Sequence, residues 1–169
     1  VNEFSDFARM PKPILKDNDL HQILNENIKL LSEIDKSIEI DLKKISGKII
    51  FNCDREQIGR VFFNLIKNSI ESIQQKSEIS PDYKKKISIE ILIDNDHIKF
   101  ILIDNGIGFG EIKGKIKDIL NPYFTTKKNG TGLGLSIVNK IINDHNGELN
   151  FFSISEGAKV EIEFKLNGN

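Results

Sequence analysis

The stretch from Asp54 to Ile73 constrains this chain most. Ile58, Val61, Phe62, Leu65, Ile66, Ile70 and Ile73 recur at the spacing of one helix face. Asp54, with Gln57 three residues later, forms a capping-box start for that helix. Downstream the period changes from 3.6 to 2: Ile87, Ile89, Ile91 and Ile93 alternate with polar residues as a strand does. After a turn at Asp94, Asn95 and Asp96, residues 98–103 are nearly all apolar, which predicts a central strand covered on both faces. A helix with one apolar stripe beside strands with apolar faces has to be layered on a sheet.

The flanking segments extend the pattern. Asp17 or Asp19 can cap a helix carrying Leu20, Ile23, Leu24, Ile28, Leu31 and Ile34. Ile38, Ile40 and Leu42 alternate as a strand, Ser46 and Gly47 make a turn, and residues 49–51 read as a second strand. Pro81 and the lysines at 84–86 fall in an exposed connection. Leu135, Val138, Ile141, Ile142 and His145 predict a helix closed by Asn146 and Gly147. Strands at 149–154 and 160–166 finish the chain. The expected fold is an α/β two-layer sandwich: a mixed, mostly antiparallel sheet with helices on one face. Residues 105–130 carry six glycines or prolines and no sustained period. They are expected to form a long loop with one short helical turn near 116–120. Loops this long in compact domains are commonly lids.

A chain of 169 residues suits one domain. Its 24 basic and 25 acidic residues give a net charge of −1, with no global signature of nucleic-acid or membrane binding. The single cysteine, Cys53, excludes an internal disulfide and argues against a metal cluster, in keeping with a reducing cytoplasm. No apolar run approaches the roughly 18 residues of a membrane span. Phe4, Phe7 and Ala8 share one helix face before Pro11 and Pro13 interrupt it. Residues 1–16 therefore read as the end of a helix and a linker, residues 17–169 as the domain proper, and the whole as the C-terminal piece of a larger protein.

Four short segments carry chemistry. Asn64 and Asn68 lie one turn apart and share a side of their helix. A carboxamide oxygen can ligate Mg²⁺ without adding charge, although two such residues also suit a solvated helix edge. Asp104 ends an apolar strand, where its carboxylate can accept from an exocyclic amine such as that of adenine. Gly106 and Gly108 would let backbone pass close to a flat base, and the same five residues also suit an ordinary turn. Gly130, Thr131, Gly132, Leu133, Gly134 and Leu135 open a helix, whose N-terminal N–H groups favour phosphate. Phe124, Thr125, Thr126 and Lys127 fall within the expected lid, where an aromatic anchor and a cation could close over phosphates. Together, in this order, the four describe a pocket for ATP with Mg²⁺. No P-loop string is present.

This set resembles the catalytic ATP-binding domain of bacterial sensor histidine kinases, the Bergerat-fold family shared with DNA gyrase, the MutL repair protein and a heat-shock chaperone. Residues 64–71 resemble the family's asparagine box, residues 104–108 its first glycine box, residues 122–127 its phenylalanine box and residues 130–135 its second glycine box. Residues 1–13 and 122–127 are similar to nitrogen-regulation sensor kinases of the NtrY/NtrB type. The resemblance implies that Asn68 ligates Mg²⁺, Asn64 supports metal and phosphates, and Asp104 selects adenine. It implies that Gly106 and Gly108 line the base and that the segment from Gly130 to Leu135 meets phosphate. The family's hydrolysing branches carry a water-activating Glu where this chain has Asn64. The acceptor histidine of such kinases is followed by an acidic residue and then a proline. His21, His97 and His145 do not fit, so the acceptor is expected upstream, on a dimerisation hairpin of the same kinase. The implied onward partner is the receiver domain of a response regulator, in a cytoplasmic phosphorelay whose parent protein could be anchored in the inner membrane. An anti-sigma-factor-type serine kinase and a docking module without kinase activity are the alternatives.

Overall fold

A computed structural model describes residues 10–43, 47–109, 114–116 and 134–166. In chain order its elements are β1 (Lys16–Asp19), α1 (Leu20–Ser32), β2 (Glu39–Leu42), β3 (Ile50–Cys53), α2 (Arg55–Ile79), β4 (Lys86–Asp94), β5 (His97–Asp104), β6 (Gly114–Ile116), α3 (Gly134–Asp144), β7 (Gly147–Ile154) and β8 (Gly157–Lys165). Six strands form one sheet in the order β2-β4-β5-β8-β7-β6. The β2–β4 pair is parallel and every other pair in this sheet is antiparallel. The expected mixed, mostly antiparallel sheet is therefore present.

The core lies between this sheet and the helices. Ile58, Val61, Phe62, Leu65, Ile66, Ile70 and Ile73 of α2 are all buried, as their spacing requires. They meet the inward residues of β4 and β5, among them Ile87, Ile89, Phe100 and Leu102, and the rings of Phe62 and Phe100 lie 5.0 Å apart. Ile137, Val138, Ile141 and Ile142 of α3 complete the layer with Leu149, Val160 and Ile162.

The structure corrects the sequence reading in several places. β5 is not covered on both faces. Ile98, Phe100, Leu102 and Asp104 are buried, but His97, Lys99, Ile101 and Ile103 are only half-buried. Ile101 and Ile103 are flanked across the strands by Glu90 and Glu161, and by Ser88 and Lys159. Among the described residues these cross-strand side chains are their neighbours on that face. β3 leaves the main sheet and pairs instead with β1, a short strand at the junction of the expected linker and domain. Residues 114–116, expected as loop leading into a helical turn, form a strand paired with β7. His97 opens β5, one residue before the expected strand at 98–103. Ile34 falls beyond α1 and is exposed. At the end of α3 the left-handed residue is Asn146, at φ 59°, and Gly147 already belongs to β7.

The start of α2 departs from the capping box in an informative way. Asp54 Oδ1 accepts the Gln57 N–H at 3.0 Å, as expected. The Gln57 side chain does not reach back to Asp54; its Nε2 donates to the Pro11 carbonyl at 3.0 Å. The Asp54 N–H donates to Nε2 of His145 at 3.0 Å, while His145 Nδ1 lies 2.7 Å from the Ile141 carbonyl. Those partners assign a neutral ring with its proton on Nδ1. Ile14 N–H donates to Asp54 Oδ2 at 2.9 Å. The linker, the start of α2 and the end of α3 thus meet at Asp54.

Candidate functional site

The site grows from the end of β5. Its inward alternation buries Ile98, Phe100 and Leu102 and then places Asp104 as the fourth member of the row, 4% exposed. A buried carboxylate needs donors, and three elements supply them. Ser69 Oγ on α2 donates to Asp104 Oδ2 at 2.9 Å, and Gly106 N–H donates to Oδ1 at 2.9 Å. The backbone N–H of Ala158, opposite Asp104 on β8, also favours the charged carboxylate. Burial pushes the Asp104 carboxyl above the usual carboxylate range, and these three donors, with the charge of Lys76, oppose that shift.

The loop after Asp104 is tied on both sides. Asn105 Oδ1 accepts from the Lys86 N–H at 3.0 Å and its Nδ2 donates to the Lys84 carbonyl at 2.7 Å. Lys76 Nζ, 4.5 Å from the Tyr83 ring centre, donates to the Asn105 carbonyl at 3.2 Å. The Ile107 N–H reaches Ser72, with its carbonyl at 3.2 Å and its Oγ at 3.0 Å. Gly106 is pressed against the same turn of α2: a Cβ there would stand 2.4 Å from Ser72 Oγ and 2.7 Å from the Ser72 backbone. That glycine therefore serves helix–loop packing as well as any ligand. Gly157 is more constrained still. Its φ is 124°, and a Cβ would stand 1.9 Å from the Asp104 carbonyl oxygen.

Asn64 and Asn68 are half-buried on α2, and Ser72 continues their row by one more turn. Ser72 bonds the 106–107 loop and Ser69, beside Asn68, bonds Asp104. One helix therefore brings the two asparagines and Asp104 to a common region. A cavity of about 220 Å³ lies beside it, lined by Lys76, the loop at 106–109 and the hairpin at 153–157. Asn64, Asn68 and Asp104 do not line this cavity. Phe109 forms part of its wall, its ring edge-on to Phe151 with centres 6.4 Å apart.

Gly134 is the first residue of α3, and Leu135 is half-buried against the core. Phe124, Thr125, Lys127, Gly130, Thr131, Gly132 and Leu133 lie outside the described residues. Among the described residues no group of three or more His, Cys, Asp or Glu is placed to hold a metal. The sequence reading missed Ser69, Ser72, Ala158 and Gly157. Ser69 and Ser72 sit beside and one turn beyond Asn68, where a hydroxyl facing a buried carboxylate or loop could have been sought. Only the pairing of β8 with β5 singles out Ala158 and Gly157.

Residues 53–168 match the family described as histidine kinase-, DNA gyrase B-, and HSP90-like ATPase. The chain belongs to this ATPase family. It is 31% identical over 172 residues to the nitrogen regulation protein NtrY of Azorhizobium caulinodans, covering 99% of this chain and 22% of that relative. The chain thus spans less than a quarter of that curated relative's length. Among solved structures, the nucleotide-free catalytic domain of histidine kinase ThkA superposes with a TM-score of 0.76 at 26% identity, covering 90% of this chain and 96% of the other. Histidine kinase ThkA in complex with the response regulator protein TrrA gives a TM-score of 0.76 at 23% identity, over 97% of this chain and 45% of that one. The two-layer architecture found here is thus the fold of a histidine kinase catalytic domain. No helix among the described residues is long and apolar enough to cross a membrane.

Proposed function

We propose that the chain is the ATP-binding catalytic domain of an NtrY-like sensor histidine kinase. The observation that carries this reading is the buried carboxylate of Asp104. In a chain of this ATPase family it is held by Ser69, Gly106 and Ala158 beside the helix that bears Asn64 and Asn68. An ionised carboxylate accepts from an amine and repels a carbonyl oxygen, so Asp104 selects the exocyclic amino group of adenine. Gly106 and Gly108 line the base, and Asn64 supports the phosphates.

The carboxamide oxygens of the asparagine row suit a hard cation, and Asn68 would hold Mg²⁺, which neutralises phosphate charge when bound. Phe124, Thr125 and Lys127 belong to a lid over the nucleotide, and the segment from Gly130 to Leu135 presents N–H groups to the phosphates. The reaction is attack of a histidine nitrogen on the γ-phosphorus, with the bond from that phosphorus to the ADP oxygen breaking. This domain supplies position and charge neutralisation. The nucleophile is a histidine on a dimerisation hairpin of the parent kinase, and a response regulator aspartate takes the phosphoryl group next.

The test is phosphoryl transfer from radiolabelled ATP to a separately supplied hairpin of an NtrY-like kinase. Acid-labile label on the hairpin, and none on His21, His97 or His145 of this chain, is the expected outcome. Label fixed on a serine would support a serine kinase. ATP bound without transfer would leave a docking module.

A further inference from the structure

The hydroxyl of Ser69 lies outside the asparagine row, yet it is 3% exposed and donates straight to the Asp104 carboxylate. A carboxylate offers about four lone-pair sites. At Asp104 the Gly106 N–H takes one on Oδ1 and the Ser69 hydroxyl takes one on Oδ2, while the Ala158 N–H on β8 further favours the charged form. The two backbone donors are fixed by the loop and by the β5–β8 register. Among the described residues, Ser69 is the side chain whose hydrogen bond holds the Oδ2 edge of the carboxylate in place.

We propose that Ser69 is a positioning residue that sets the base preference of this site: by holding Asp104 as an oriented acceptor, it favours a 6-aminopurine over a 6-oxopurine. This rests on the reading that Asp104 meets the nucleobase. With Ser69 in place, a C6 carbonyl would face an ionised oxygen and be repelled. Without it, a buried carboxyl with fewer donors takes up a proton more readily and can itself donate to a C6 carbonyl. Among the described residues, the other charged and titratable groups bearing on Asp104 are Lys76 of α2 and the Tyr83 phenol. Across the strands its neighbours are Ile87 of β4 and Ala158 of β8, neither of which titrates.

The experiment is calorimetric titration of the whole chain with Mg²⁺-ATP and, separately, Mg²⁺-ITP, for wild type, Ser69→Ala, Ser69→Thr and Asp104→Ala. Wild type should prefer ATP. Ser69→Ala should lower that preference by about tenfold, the scale of one hydrogen bond to a charged group, and Ser69→Thr should restore it. The ¹³C shift of the Asp104 carboxyl, followed against pH without nucleotide, should titrate at higher pH in Ser69→Ala than in wild type. Ser69→Cys replaces the alanine variant if that one does not fold, with the same expectation. Ser69→Ala that keeps the wild-type ratio and carboxyl titration overturns the proposal while Asp104→Ala still abolishes binding. Wild-type ratios in Asp104→Ala overturn the adenine reading itself, and the role of Ser69 with it.

Discussion

At the scale of single residues, Asp104 combines two demands that pull in opposite directions. Its place in the inward row of β5 removes it from water, which disfavours its charge, while three donors and Lys76 favour it. Burial prevails, so the carboxyl sits above its ordinary value of 3.8. The sign of the linkage follows. The folded state holds the Asp104 proton more tightly than the unfolded state does. The stability this group contributes is therefore complete below 3.8 and is lost as pH rises through the raised folded value. Urea denaturation of wild type and Asp104→Ala, at about pH 4.5 and about pH 7.5, should give a stability difference that narrows at the higher pH. A difference that widens with pH would place the folded carboxyl below its unfolded value and contradict this account. Asp104 was legible in the sequence because an aspartate ending an apolar strand is conspicuous. Its support was not, since Ser69 meets it from 35 positions away. Ala158 reaches it only once β8 lies beside β5.

At the scale of elements, periodicity revealed the strong helices and strands, and tertiary pairing decided the rest. α2 follows its apolar stripe closely, because seven large side chains on one face leave no other way to bury them. The three residues of β6 carry no alternation to read; pairing with β7 makes them a strand. Residues 98–103 look almost continuously apolar, yet Ile101 and Ile103 are flanked by polar and charged residues of neighbouring strands, a distinction that composition does not carry. The capping box at Asp54 is half realised, since His145 takes the N–H that Gln57 was expected to bond. His145 is 5% exposed and joins the end of α3 to the start of α2. His145→Ala should therefore cost about 1–3 kcal/mol by stranding the Asp54 N–H. His145→Gln, whose carbonyl oxygen can accept the same bond, should cost less. Equal losses in thermal and urea unfolding for the two variants would show that lost packing, not the hydrogen bond, is responsible.

At the scale of the whole molecule, the sheet, the long α2 helix and the loop after β5 form one frame. Within it the asparagine row and Asp104 are brought together by the same helix. The architecture is that of the histidine kinase-, DNA gyrase B-, and HSP90-like ATPase family, to which residues 53–168 belong. In the proposed function, transfer to histidine rather than hydrolysis rests on Asn64 in place of an acidic residue and on an acceptor proposed to lie elsewhere in the parent protein. The central claim is narrower: that Asp104 and Asn68 bind Mg²⁺-ATP. Calorimetric titration of Mg²⁺-ATP into the wild-type chain, Asp104→Ala and Asn68→Ala tests it most directly. The account predicts saturable, Mg²⁺-dependent binding to wild type, none detectable to Asp104→Ala, and binding to Asn68→Ala weakened about tenfold or more, as for a lost bond to a charged partner. A folded wild-type chain that takes up no ATP, or an Asp104→Ala variant that binds as tightly as wild type, would contradict it.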